Sequence, residues 1–240
     1  MLNLKQEISH YYNRYDALAE VSPKAVLFDW DDTLIDSWDR LCLAINKTLI
    51  AMGTQPWSAE EAHQRLGPSA KDLFQGLYGD QWQKADQLFY DFICDETTLK
   101  SIKVREGAVR LLQALKDSGV YVSVVSNKRG KLLRQEVEYL GWEHFFSNVI
   151  GAGDAKFDKP DVSPVHLALK DTGIIPQDEC VWFVGDSPTD MICAYNAYCL
   201  PVLVEYKKPP ENLLQECRPA LSFENCLKIL SFLQKKHFFN

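Results

Sequence analysis

The chain has 240 residues and a formal charge of −7. That is enough length to bury a full core without cross-links, and too little excess Lys and Arg for nucleic acid or an anionic membrane surface to be the main partner. Its seven cysteines form no CxxC pair, and neither a signal-like leader nor a run of about 18 apolar residues occurs, so the expectation is a cytoplasmic protein with reduced thiols.

Residues 1–22 place Leu4, Ile8, Tyr11, Tyr15 and Leu18 at helical spacing, which predicts an amphipathic extension docked on the rest of the chain or used in a dimer contact. The run "KAVLFD", Lys24 to Asp29, then drives an apolar strand into a cluster of carboxylates, Asp29, Asp31 and Asp32. Such groups repel one another unless a cation or a phosphate-handling step needs them. Between Val26 and Val104 no valine occurs. This stretch is rich in Leu, Ala, Trp, Phe, Gln and Glu, with Trp38, Leu41, Ile45, Leu49 and Met52 on one helical face and Trp82, Leu88, Phe89, Phe92 and Ile93 on another. Asp36 and Asp39 are placed to start its first helix, and Ser58 to Glu61 reads as a capping box. The segment 38–103 is therefore expected to be an all-helical insert.

Beyond it, "VYVSVVSN", "SNVIGAG", "CVWFVGD" and "LPVLVEY" are short apolar runs separated by helical patterns that end at Gly119, Gly141 and Gly173. Continuous apolar strands alternating with helices predict an α/β fold with a doubly wound parallel sheet, its functional groups at the strands' C-terminal ends. Pro209 and Pro210 open a loop before a last helix around Phe223 to Lys235. The predicted organisation is an extension over 1–22, a core of 23–37 with 104–240, and the insert over 38–103.

Four strand ends carry polar groups: Asp29, Asp31, Asp32 and Thr33; Ser126, Asn127 and Lys128; Lys159 before Pro160; and Asp186 with Asp190. Carboxylates of Asp29 and Asp186 on neighbouring strands would suit Mg²⁺, a hard cation that takes oxygen ligands. Ser126, the Asn127 backbone and Lys159 are donors, and donors beside a cation describe a site for a transferring phosphoryl group.

"DWDDT", "VSN", "KP" and "GDSPTD", in this order, resemble the motifs of the haloacid dehalogenase superfamily in its phosphatase branch, over about Lys24 to Glu205. The insert is similar to the small helical cap of the phosphoglycolate phosphatase kind. The resemblance implies that Asp29 attacks phosphorus and that Asp31 protonates the leaving alcohol, then takes a proton from water, while its backbone carbonyl binds Mg²⁺. It implies Asp186 as a metal ligand, Asp190 as a weaker or water-mediated one, Ser126 and Lys159 as holders of the phosphoryl oxygens, and Thr33 as a residue orienting the loop. Arg65, Gly67, Ser69 and Lys71 of "RLGPSAKDLF" are candidate substrate contacts or, equally, a capped helix start with solvated charges. Asp32 stands where the family often has Gly and is expected to face solvent or cap a turn; Trp30 is expected to narrow the site by its bulk. Lys156 competes with Lys159, but only Lys159 precedes a proline.

The reading is a Mg²⁺-dependent phosphatase, monomer or homodimer, acting on a small phosphorylated metabolite such as phosphoglycolate or a sugar phosphate. A phosphomutase would use the same residues, and a scaffold holding a phosphorylated ligand without turnover is the non-enzymatic alternative. A dehalogenase has no need of Asp31 or of a metal pair, and a receiver module would be about half this length without an insert.

Overall fold

The computed structural model describes residues 14–65, 70–206 and 218–238. Leu4, Ile8, Tyr11, Gly67, Ser69, Pro209, Pro210 and Cys217 lie outside them. The chain forms two compact units, Met1–Ile35 with Val104–Asn240 and Asp36–Lys103.

In the first unit, residues 14–18 are helical (α1) and lead to strand β1 (Ala25–Phe28), whose four residues are all buried. A two-residue strand β2 (Ile35–Asp36) pairs with β3 (Lys103–Val104) in a separate two-stranded sheet. The chain continues through α7 (Ala108–Asp117), β4 (Tyr121–Arg129), α8 (Gly130–Tyr139), β5 (Asn148–Ala152), α9 (Ser163–Ala168), β6 (Val181–Gly185), α10 (Pro188–Asn196), β7 (Leu200–Val204), β8 (Leu221–Phe223) and α11 (Cys226–Lys235). The second unit holds α2 (Trp38–Ala51), α3 (Ala59–Arg65), α4 (Ala70–Tyr78), α5 (Trp82–Ile93) and α6 (Glu96–Leu99).

The six-stranded sheet runs β5-β4-β1-β6-β7-β8 and every pairing in it is parallel. The strands were legible because β1, β6 and β7 are buried on both faces. One layer packs Ala25, Leu27, Val181 and Phe183 of the sheet against Val165 and Ala168 of α9 and Cys193 and Ala194 of α10. After β1 the chain adds β4 and β5 on one side and then crosses to β6, β7 and β8 on the other. That reversal at β1 opens a crevice at the C-terminal ends of β4, β1 and β6.

Three short strands were not anticipated. β8 occupies Leu221–Phe223, so the last helix starts at Cys226 rather than near Phe223, with Asn225 accepting from the Lys228 amide at its N-cap. β2 and β3 are two residues each, too short for any periodicity. In the extension, Tyr15 is buried and sets its ring edge-on to Tyr195 at 5.3 Å, while Arg14 donates to the Pro176 and Tyr198 carbonyls. The described part of the extension is thus docked on its own unit.

The insert has its own core of Ile45, Leu49, Trp57 and Ala62, with Trp38, Leu41, Tyr78 and Phe89 packed against it. Ser58 and Glu61 exchange the two capping-box bonds, at 3.2 and 2.9 Å. Asp36 accepts from the Trp38 amide at the start of α2, whereas Asp39 pairs with Lys103.

Candidate active site

Strand register brings the polar motifs together. Phe28 is level with Val124 of β4 and with Val184 of β6, so Asp29, Ser126 and Asp186 all stand one or two residues past the same line, on strands about 4.8 Å apart. The Asp29 amide still donates to the Val184 carbonyl at 2.8 Å, which ties the start of the acidic loop to β6. The loop closes through bonds from the Leu34 and Ile35 amides to the Trp30 carbonyl and from the Asp32 amide to the Ile35 carbonyl. β4 loses its ladder between Val125 and Arg129, and this irregular stretch is where Ser126, Asn127 and Lys128 sit.

Lys159 lies at the centre and is almost wholly buried. Its ammonium donates to Asp29 Oδ1 at 2.6 Å and to Asp190 Oδ1 at 2.7 Å. Asn127 fixes the lysine's backbone from both directions: its Nδ2 donates to the Lys159 carbonyl and its Oδ1 accepts from the Lys159 amide, each at 2.9 Å. Sequence reasoning gave Asn127 a role through its backbone; the side chain is what aligns the second motif with the third. Asp190 is the third residue of a capping box, its Oδ2 accepting from the Ser187 amide at 3.0 Å and the Ser187 hydroxyl at 2.6 Å. Both its oxygens are therefore engaged. Thr33 is buried, and its hydroxyl is 3.4 Å from Asp186 Oδ1, so it joins the first motif to the fourth. Lys156 instead lies over the Phe157 ring.

One carboxylate oxygen from each of Asp29, Asp186 and Asp190 falls within 4.8 Å of the others. The electrostatics follow from that crowding. Burial pushes Asp29 up from 3.8 to about 6, against the pull of Lys159, with Asp190 and Asp31 adding to the rise. Asp186 is pushed up to about 8 by burial first and then by Asp29, Asp190 and Asp32. Lys159 is held above the ordinary lysine range: burial opposes its charge, but Asp190 and Asp29 outweigh it. Asp186, with only the long bond from Thr33 among the described residues, is a carboxylate short of positive partners. A divalent cation with oxygen preference fits this donor set.

A second network was missed by sequence reasoning. The Lys128 ammonium donates to Asp31 Oδ1 at 2.7 Å and to both oxygens of Glu136 at 2.8 Å. Glu136 is fully buried and also accepts from the Trp30 indole at 2.6 Å. Lys128 is held above its ordinary value, since Asp31 and Glu136 overcome the burial that opposes its charge. The signal was present: Glu136 falls among the buried positions Leu132, Leu133 and Val137 of α8, where a charge needs a partner. Trp30 does not narrow the site as expected. It is fully buried, directed to Glu136 and to the rings of Trp142 and Phe146. Asp32 adopts φ 57°; its side chain is half-exposed, in line with the expectation that it faces solvent, and its carboxylate pairs with Arg105 at 2.6 Å.

Of the insert candidates, Gly67 and Ser69 lie outside the described residues, as does the side chain of Lys71. Arg65 lies over the Trp57 ring and pairs with Glu61 at 3.5 Å.

A haloacid dehalogenase-like hydrolase profile matches residues 26–204. Phosphoglycolate phosphatase 1 of Pseudomonas aeruginosa is 28% identical over 87% of this chain and 79% of its own length. Pyrophosphatase PpaX of Bacillus pumilus is 26% identical over 89% and 98%. A solved structure described as a predicted phosphoglycolate phosphatase from Haemophilus somnus superposes with a TM-score of 0.77 at 26% identity, covering 89% of this chain and 99% of that one. With its parallel sheet and the polar motifs gathered around Lys159, the chain belongs to the haloacid dehalogenase-like hydrolase family, as an enzyme of the phosphatase branch.

Proposed function

We propose that the chain is a Mg²⁺-dependent cytoplasmic phosphatase that hydrolyses small phosphorylated metabolites through an aspartyl phosphate on Asp29. The observation that carries this reading is the Lys159 ammonium held between Asp29 and Asp190 beside an undercompensated Asp186. Asp29 Oδ1 is held by Lys159, which leaves Oδ2 as the attacking atom. As the O–P bond to Asp29 forms, the bond from phosphorus to the leaving alkoxide breaks, and Asp31 delivers a proton to that oxygen. Water then attacks the acyl phosphate with Asp31 taking its proton, releasing phosphate and restoring Asp29. Ser126 and Lys159 hold the phosphoryl oxygens. Oxygens of Asp29 and Asp186, the Asp31 carbonyl and more weakly Asp190 would hold Mg²⁺, which would supply positive charge for the transferring group. Arg65, Gly67, Ser69 and Lys71 are assigned to the organic part of the ester on the sequence pattern alone. Relatives named phosphoglycolate phosphatase and pyrophosphatase support a small phosphorylated substrate.

The test is phosphate release by the full chain from phosphoglycolate, a sugar phosphate, pyrophosphate and an aryl phosphate, with Mg²⁺ and with chelator. Asp29→Asn is expected to lower kcat by at least about 10³-fold on every substrate turned over, since the nucleophile is lost. Wild-type turnover by Asp29→Asn removes that residue as the nucleophile.

A further inference from the structure

We propose that Glu136 is a positioning residue for hydrolysis: acting through Lys128 it fixes the direction of the Asp31 carboxyl group, and Trp30 locks this arrangement to the loop between Asp29 and Asp31. The proposal rests on the reading of Asp31 as proton donor and acceptor. A lysine ammonium has three N–H groups. In Lys128 they meet the two oxygens of Glu136 and Asp31 Oδ1, so the two bonds to Glu136 leave the remaining N–H one direction, toward Asp31. Glu136 is fully buried in α8 and Asp31 is 33% exposed; the anchored end is deep and the presented end faces open space. The Lys128 amide also donates to Ser126 Oγ at 3.2 Å. One residue therefore sets both the hydroxyl of the second motif and the carboxyl group of the first.

A packing role alone does not account for this pair. Apolar residues of similar volume replace a buried ion pair with little loss of stability or with a gain, because two desolvated charges offset much of their own attraction. The Trp30 bond adds a second constraint, on the Oε2 that also accepts from Lys128. Trp30 sits between Asp29 and Asp31 in sequence, and its indole donates into the same carboxylate that holds Lys128. Without the network, Asp31 keeps its chemistry but loses its aim, and aim matters most when the leaving oxygen departs reluctantly and needs its proton in flight.

The experiment compares 4-nitrophenyl phosphate, whose leaving group departs unaided, with an alkyl phosphate such as phosphoglycolate or glycerol phosphate. Wild type, Asp31→Asn and the neutralised pair Lys128→Met/Glu136→Gln are assayed as full chains with Mg²⁺. The neutralised pair is expected to lose kcat on the alkyl ester at least about tenfold more than on the aryl ester, with KM changed by less than about threefold. Adding Asp31→Asn to that pair is expected to produce no further selective loss, because both changes remove the same proton transfer. A wild-type ratio of alkyl to aryl turnover in the neutralised pair, while Asp31→Asn alone discriminates, overturns the positioning role and leaves the Asp31 reading standing. Equal losses on both esters for Asp31→Asn overturn that reading and the proposal with it. If the double variant does not fold, Trp30→Phe decides: a smaller shift of the ratio in the same direction supports the role, and an unchanged ratio refutes it.

Discussion

Gly185, the last residue of β6, shows how closely the acidic cluster is packed. A Cβ there would lie 2.4 Å from both Cβ and Cγ of Asp190, the residue that completes the capping box of α10 and anchors Lys159. Gly185→Ala is thus expected to displace Asp190, lower stability by about 1–3 kcal/mol and cut turnover severalfold, read from urea unfolding and phosphate release. Unchanged turnover would mean that Asp190 does not control Lys159. At this scale Asp29, Lys159 and Asp186 were legible because each ends an apolar strand or precedes Pro160, where a charge has no packing purpose. Trp30 was misread because a residue in a loop has no periodicity to fix its direction. Its side turned out to be decided by Glu136, 106 residues away in sequence. Asp32 illustrates the same limit, since its partner Arg105 lies 73 residues on.

Between elements, an equally tight approach, here of backbone on backbone, is at Gly151 of β5 and Gly130, the first residue of α8. A Cβ on Gly151 would be 2.4 Å from the Gly130 Cα and 2.7 Å from the Lys128 carbonyl, so backbone, which cannot swing aside, would have to move. Gly151→Ala is expected to destabilise the protein by about 1–3 kcal/mol, measured by the urea midpoint. It is also expected to depress alkyl phosphate turnover, because α8 carries Glu136. Wild-type stability in this variant would show that β5 and α8 can separate without strain. The long strands and the helices between them were readable from runs of buried residues; β8, with three residues, and β2 and β3, with two each, carry no pattern of their own and are defined only by the neighbours they pair with.

For the molecule as a whole, the crowded carboxylates make stability depend on pH. Asp29 and Asp186 have folded values near 6 and 8 against an ordinary 3.8. Raised carboxyl groups favour the folded state while protonated, so their contribution is complete below about pH 4 and is lost as pH rises through 6 and then 8. The metal-free protein is therefore expected to unfold at a lower temperature at pH 8.5 than at pH 5.5, with Mg²⁺ raising the midpoint more at pH 8.5. Asp186→Asn is expected to flatten the fall between pH 6 and 9; an undiminished fall would assign it to other groups. The unit Asp36–Lys103 falls within the valine-free stretch between Val26 and Val104, as helical and sheet segments draw on different residues.

Asp29, Asp31, Ser126, Asn127, Lys128, Glu136, Lys159, Asp186 and Asp190 all belong to the unit that the chain leaves after Ile35 and rejoins at Val104. The consequence is modular. If the proposed bond-breaking kit is this set, it is complete without the detour, and mutations in the intervening stretch are expected to redraft the preference for an ester without reopening the chemistry.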